Sequence, residues 1–202
     1  LNQMLAALGR APVTRAQIAL MVGKGSEHLI KSALALDQRA PAAIETQADA
    51  ALQAAAWQHY QDAYLRINGL HSRLYPGAAE GLQALADLGL PLACLTNKPQ
   101  AFAEQLLRAK GLDGFFQHVF GGDAFARKKP DPLPLLKTCE ALGTVPARTL
   151  MVGDSRNDAQ AARAAGCPVV LVGYGYNHGE PVRQVDADGF VDALTELVPC
   201  AC

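Results

Sequence analysis

Over residues 1 to about 70, apolar side chains recur at helical spacing: Leu29, Ile30, Ala33 and Leu34, then Ala56, Trp57, Tyr60, Tyr64 and Ile67. Breaks at Gly9 to Pro12, Gly23 to Gly25 and around Arg39 to Pro41 divide the stretch into a small all-helical unit, with Trp57, Tyr60 and Tyr64 as its core. After Tyr75-Pro76-Gly77 the texture changes. Short apolar runs at Leu90 to Leu95, Val119 to Gly121, Leu150 to Gly153 and Val169 to Val172 read as buried strands. Amphipathic helices at about 77 to 88, 99 to 110, 132 to 142 and 156 to 166 lie between them, the last ended by Gly166 and Pro168. Such alternation implies an open α/β domain with a parallel sheet covered on both faces. Chemistry in such a domain belongs at the carboxyl ends of the strands.

Composition narrows the function classes. The 202 residues are 50% hydrophobic and carry a formal charge of -1, which argues against a nucleic-acid partner. No apolar run approaches the ~20 residues of a membrane helix, and no basic stretch followed by an apolar core opens the chain. Five cysteines, an odd set without a Cys-x-x-Cys pair, read as reduced thiols of a cytoplasmic protein. The five histidines do not cluster at metal spacing. The chain opens on Leu1, without Met and directly into a helical pattern, so an upstream segment is expected.

Three strands run into polar residues: Thr96-Asn97-Lys98-Pro99, then Arg127-Lys128-Lys129-Pro130-Asp131-Pro132 by way of a loop, and Asp154-Ser155-Arg156-Asn157-Asp158. A hydroxyl, a lysine and paired carboxylates at one sheet edge are what holding a phosphate and a divalent cation requires. The Thr96 hydroxyl, nearby backbone N–H groups and the Asn97 amide can donate to phosphate, although both residues are also good helix caps. Lys129, set before a proline, can aim its charge at phosphate and carboxylate together; a solvated basic loop is the plainer reading. Gly153 allows close backbone approach beside Asp154, which suits Mg²⁺. Asp158, four residues on, can support the metal site or orient Lys129, or simply close a capping box with Ser155.

These segments resemble motifs II, III and IV of the haloacid dehalogenase-like hydrolases. Tyr75-Pro76-Gly77, Gly121-Gly122-Asp123 and Gly173-Tyr174-Gly175-Tyr176-Asn177-His178-Gly179 extend the resemblance to the phosphoglycolate phosphatase-like subfamily. The resemblance implies a helical cap domain over residues 1–70 and a Rossmann-like three-layer core with a parallel sheet over 71–202. It implies catalytic roles for Thr96 and Lys129, substrate binding by Thr96, Asn97 and Lys129, and Mg²⁺ held by Asp154 and Asp158. The turn Val22-Gly23-Lys24-Gly25 resembles the family's substrate-specificity loop, where Gly23 and Lys24 would meet a small carboxylate. The partner is then a small phosphorylated substrate, and the assembly a monomer or homodimer.

The family's motif I, Asp-x-Asp-Gly-Thr, is absent. It supplies the nucleophile that forms an aspartyl-phosphate. Asp186-Ala187-Asp188-Gly189-Phe190 imitates it, but a polar, proline-containing approach and a place beyond the last strand speak against catalysis. The expectation is a Mg²⁺-dependent phosphatase acting on 2-phosphoglycolate, with its nucleophile upstream of Leu1. A haloacid dehalogenase, a sugar-phosphate phosphatase or mutase, and a catalytically dead phosphate-binding protein are the alternatives. Because the missing strand is central in the family's sheet, its loss should leave a gap or a substitute.

Overall fold

The computed structural model describes residues 1–22, 25–36, 47–177 and 179–200. Helices α1 (Asn2–Ala7), α2 (Arg15–Met21), α3 (Ser26–Ala35) and α4 (Gln47–Ile67) make up the helical unit. A capping box starts α2: Gln17 N–H donates to Thr14 Oγ1 at 3.3 Å and Thr14 N–H to Gln17 Oε1 at 2.8 Å. Met4, Leu5, Val13, Ile30, Ala56 and Tyr60 bury one another. Phe102, from the second half of the chain, completes that cluster and binds the two halves together. Its carbonyl accepts the Asn68 amide at 2.9 Å, just past the end of α4.

The second half alternates α5 (Ala78–Asp87), β1 (Ala93–Leu95), α6 (Gln100–Ala109), β2 (His118–Phe120), α7 (Leu133–Ala141), β3 (Met151–Gly153), α8 (Arg156–Ala165), β4 (Val169–Val172) and β5 (Gly189–Val191). All pairings are parallel: β1 with β2, and β3–β4–β5 as a separate three-stranded sheet. No ladder joins β1 to β3 among the described residues, so the expected gap falls between them. Around β3 and β4, Leu135, Cys139, Ala159, Ala162, Val169 and Leu171 form a core against which Leu95 of β1 also packs.

Two readings of the sequence need correction. Strand β4 spans the expected Val169–Val172 and β2 is shifted by one residue, but β1 is shorter than its apolar run, because Pro91 has no N–H for a ladder and the strand begins only at Ala93. A fifth strand follows Asp186-Ala187-Asp188, so this segment does not lie beyond the last strand. It does not lead to a nucleophile either. Asp188 accepts the Val169 N–H at 2.7 Å, and the Arg163 guanidinium holds Asp186 and Asp188, which ties β5 to β4 and α8.

Candidate active site

A cavity of about 450 Å³ opens at the carboxyl ends of β1 and β3, beneath the helical unit. Its floor brings together Thr96, Asn97, Lys129, Asp154 and Asp158, from three separate segments. Its roof is mainly apolar, with Ile18, Val22, Leu29 and Ile67 beside the Tyr60 and Tyr64 rings. Gly23 and Lys24 lie outside the described residues; their neighbours Val22 and Gly25 line the cavity.

Lys129 is the centrepiece. Only 8% of its side chain is exposed, and its Nζ stands 2.7 Å from Asp158 Oδ1 and 2.7 Å from the carbonyl oxygen of Leu95, the last residue of β1. One ammonium therefore spans the seam between the two sheets. A buried lysine is tolerated only when paired and hydrogen-bonded. Its own carbonyl accepts one N–H of the Asn97 amide at 2.8 Å, so that amide helps to fix Lys129 and keeps its second N–H for another acceptor. The Thr96 N–H completes the β1–β2 ladder on Phe120 O at 2.9 Å, and its Oγ1 accepts the Lys98 N–H at 3.1 Å. The hydroxyl keeps its hydrogen for another acceptor.

Asp158 serves protein groups with both oxygens. Oδ1 takes Lys129, while Oδ2 accepts the Ser155 N–H at 3.1 Å, the Ser155 hydroxyl at 2.9 Å and the Asp154 N–H at 3.1 Å. Burial alone would raise its pKa, but the Lys129 charge and these hydrogen bonds hold it below the ordinary carboxylate value. A Cβ on Gly153 would stand 2.3 Å from Asp158 Cβ, so only glycine lets helix α8 close on β3 here.

Asp154 is its opposite. Burial pushes its carboxyl up to about 6; the Tyr176 N–H, 3.0 Å from Oδ2, and the Lys129 charge lower it, while the Asp158 charge raises it. Gly175 has φ +110°, and a Cβ there would fall 2.3 Å from Asp154 Oδ2, so the loop after β4 wraps the carboxylate on backbone alone. The donor set fits Mg²⁺: a hard, half-desolvated carboxylate on a cavity wall, short of positive charge, suits an ion that takes one or two carboxylates and fills its shell with phosphate oxygens and water. Among the described residues no group of three or more His, Cys, Asp or Glu forms a closed metal cage.

Comparison with known proteins then places this geometry. The family model for a haloacid dehalogenase-like hydrolase matches residues 1–166. The chain is 45% identical over 193 residues to a phosphoglycolate phosphatase of Thiobacillus denitrificans, covering 96% of this chain and 82% of the relative. The chain belongs to the haloacid dehalogenase-like hydrolases. A phosphoglycolate phosphatase of Nitrosospira multiformis is 44% identical over 195 residues, covering 96% of this chain and 83% of its own length. A crystal structure described as a predicted phosphoglycolate phosphatase from Haemophilus somnus superposes with a TM-score of 0.90 at 30% identity, covering all of this chain and 88% of that one. Within the haloacid dehalogenase-like hydrolases, the chain is therefore phosphoglycolate phosphatase-like, with a Rossmann-like α/β core.

In this hydrolase the sequence reading left four wall residues without a role in the site: Lys98, Tyr60, Tyr64 and Tyr176. Lys98, inside the Thr-Asn-Lys-Pro segment, sends its Nζ to the hydroxyl of Tyr64. Tyr60 and Tyr64 are core aromatics as expected, stacked at 5.5 Å, but they also line the cavity. Helical spacing reports which face is buried and not that the buried face borders a cavity. Tyr176 lines the cavity through the loop that holds Asp154. His178 lies outside the described residues.

Proposed function

We propose that this protein is a Mg²⁺-dependent phosphatase of the cytoplasm that hydrolyses a small phosphate monoester, 2-phosphoglycolate, through an aspartyl-phosphate. The observation that carries the reading is the meeting of Thr96, Lys129 and Asp154 on one cavity floor beneath an apolar roof. The Thr96 hydroxyl and the backbone of the Thr96–Asn97 turn bind phosphate oxygens. Lys129, fixed by Asp158, Leu95 and Asn97, neutralises charge that builds up on the phosphoryl group. Asp154 holds the Mg²⁺, which when bound polarises the phosphoryl oxygens as a Lewis acid. Asp158 acts on this site by positioning, since both of its oxygens are taken by protein donors. The apolar roof excludes water that would weaken these charges. Asp186 and Asp188 are held by Arg163, and this reading gives them no part in the chemistry. The relatives' names supply the choice of 2-phosphoglycolate.

A panel of phosphate monoesters and 2-chloropropionate, given to protein expressed from the complete reading frame with and without EDTA, tests the reading. Expected are phosphate release that EDTA abolishes and Mg²⁺ restores, and loss of turnover in Asp154→Ala. Metal-independent turnover or halide release would contradict it. Phosphate binding without any hydrolysis would point to the catalytically dead protein instead.

A further inference from the structure

Two lysines line the cavity among the described residues, and only one has a carboxylate partner. Lys129 is committed to Asp158 and Leu95. Lys98 has no carboxylate partner among the described residues; its Nζ donates to the Tyr64 hydroxyl. The Lys98 backbone is fixed at the phosphate end, on Thr96 Oγ1, while its side chain reaches the helical unit. Tyr64 is itself rigid, with its ring 5.5 Å from Tyr60 and 4.8 Å from Phe102. The same cavity is lined by the apolar side chains of Ile18, Leu29 and Ile67. Loss of water without a neutralising partner pulls the Lys98 pKa down to about 8. The face of the Tyr64 ring, its centroid 4.5 Å from Nζ, offsets part of that cost, and an arriving anion would offset more of it.

We propose that Lys98, held in place by Tyr64, binds a carboxylate at the carbon end of the substrate and so sets selectivity for small phosphorylated acids over neutral phosphate esters. This rests on the phosphatase reading above, which assigns the phosphate end, and adds the residue that reads the other end. Tyr64 orients the ammonium and leaves its remaining two N–H bonds for the carboxylate oxygens.

The test compares kcat and KM for 2-phosphoglycolate and for ethyl phosphate, which has a methyl group in place of the carboxylate. Enzyme from the complete reading frame is assayed as wild type, Lys98→Met, Lys98→Arg and Lys24→Met. Lys98→Met should lower kcat/KM for 2-phosphoglycolate about 30-fold more than for ethyl phosphate, mainly through KM, as expected for a lost charged hydrogen bond. Lys98→Arg, which keeps the charge, should recover most of that difference. Equal losses on both substrates would mean a structural contact only and overturn the proposal. Selectivity that disappears in Lys24→Met and persists in Lys98→Met would overturn it as well. Wild-type enzyme that hydrolyses both esters equally well would overturn the carboxylate site and leave the phosphatase reading standing. Hydrolysis of neither would defeat the phosphatase reading. Calorimetric titration with glycolate then still decides on Lys98: binding weakened by Lys98→Met supports the site, and unchanged binding overturns it.

Discussion

Lys129 and Asp158 form an ion pair at 2.7 Å with both side chains less than a tenth exposed, and the same ammonium binds the Leu95 carbonyl across the seam between two sheets. Removing one member leaves a buried charge without its partner. Asp158→Asn or Lys129→Met should each cost about 3 kcal/mol of stability, whereas Lys129→Met combined with Asp158→Leu should cost clearly less than the sum. Urea denaturation of the three variants measures this, and strict additivity would contradict it.

Asp154 behaves in the opposite sense with pH. Its folded pKa, about 6, lies above the ordinary value of 3.8, so the folded state holds this proton more tightly than the unfolded chain does. The group's contribution is therefore unfavourable once it ionises, and the penalty grows as pH rises from about 4 through 6. Without Mg²⁺, Asp154→Asn should stabilise the protein by about 2 kcal/mol at pH 8 and by about a third of that at pH 4.5. Saturating Mg²⁺ should raise the Tm of the wild type and leave that of the variant unmoved. Thermal scans at the two pH values, with and without the ion, check both statements.

Gly175→Ala is the most economical way to disturb Asp154 without substituting it. The new methyl group would meet Oδ2 at 2.3 Å on a backbone with φ +110°. Displacement of the carboxylate should weaken Mg²⁺ binding about tenfold, with about 1–2 kcal/mol lost in stability from backbone strain. Titration of the variant with Mg²⁺, followed by Tm, reads the first effect, and denaturation reads the second.

Asp186→Asn and Asp188→Asn separate resemblance from role. Both carboxylates are held by Arg163, and Asp188 also fixes the start of β4. The variants should lower Tm and keep kcat within about twofold of wild type. Loss of turnover with unchanged Tm would make the pair catalytic after all.

How far these features could be read from the chain alone differs residue by residue. Thr96 and Asp154 were legible because each follows a buried strand and begins a polar run. Lys129 was legible from its place before a proline in a loop leading from β2. Strand β5 was not: Gly189-Phe190-Val191 is a three-residue edge strand behind Pro181 and Arg183, too short for an alternation signal. Asp158 supported a capping-box reading and a metal reading through one and the same spacing; its protein donors establish the capping box and the pair with Lys129, which the spacing alone could not. Lys98 carried no signal of its own. Its role depends on Tyr64, 34 residues earlier on a long helix, and such a pairing exists only once the helical unit packs over β1.

The central claim, that Thr96, Lys129 and Asp154 surround one phosphate-and-cation site, is tested most directly by the thermodynamic coupling between the two ligands. Calorimetric titration with orthophosphate, with and without Mg²⁺, should show the ion tightening phosphate binding by about tenfold or more in the wild type. Asp154→Asn should abolish that coupling, and Thr96→Val should weaken phosphate whether or not the ion is present. Phosphate affinity indifferent to Mg²⁺ in the wild type, or coupling that survives in Asp154→Asn, would contradict the account.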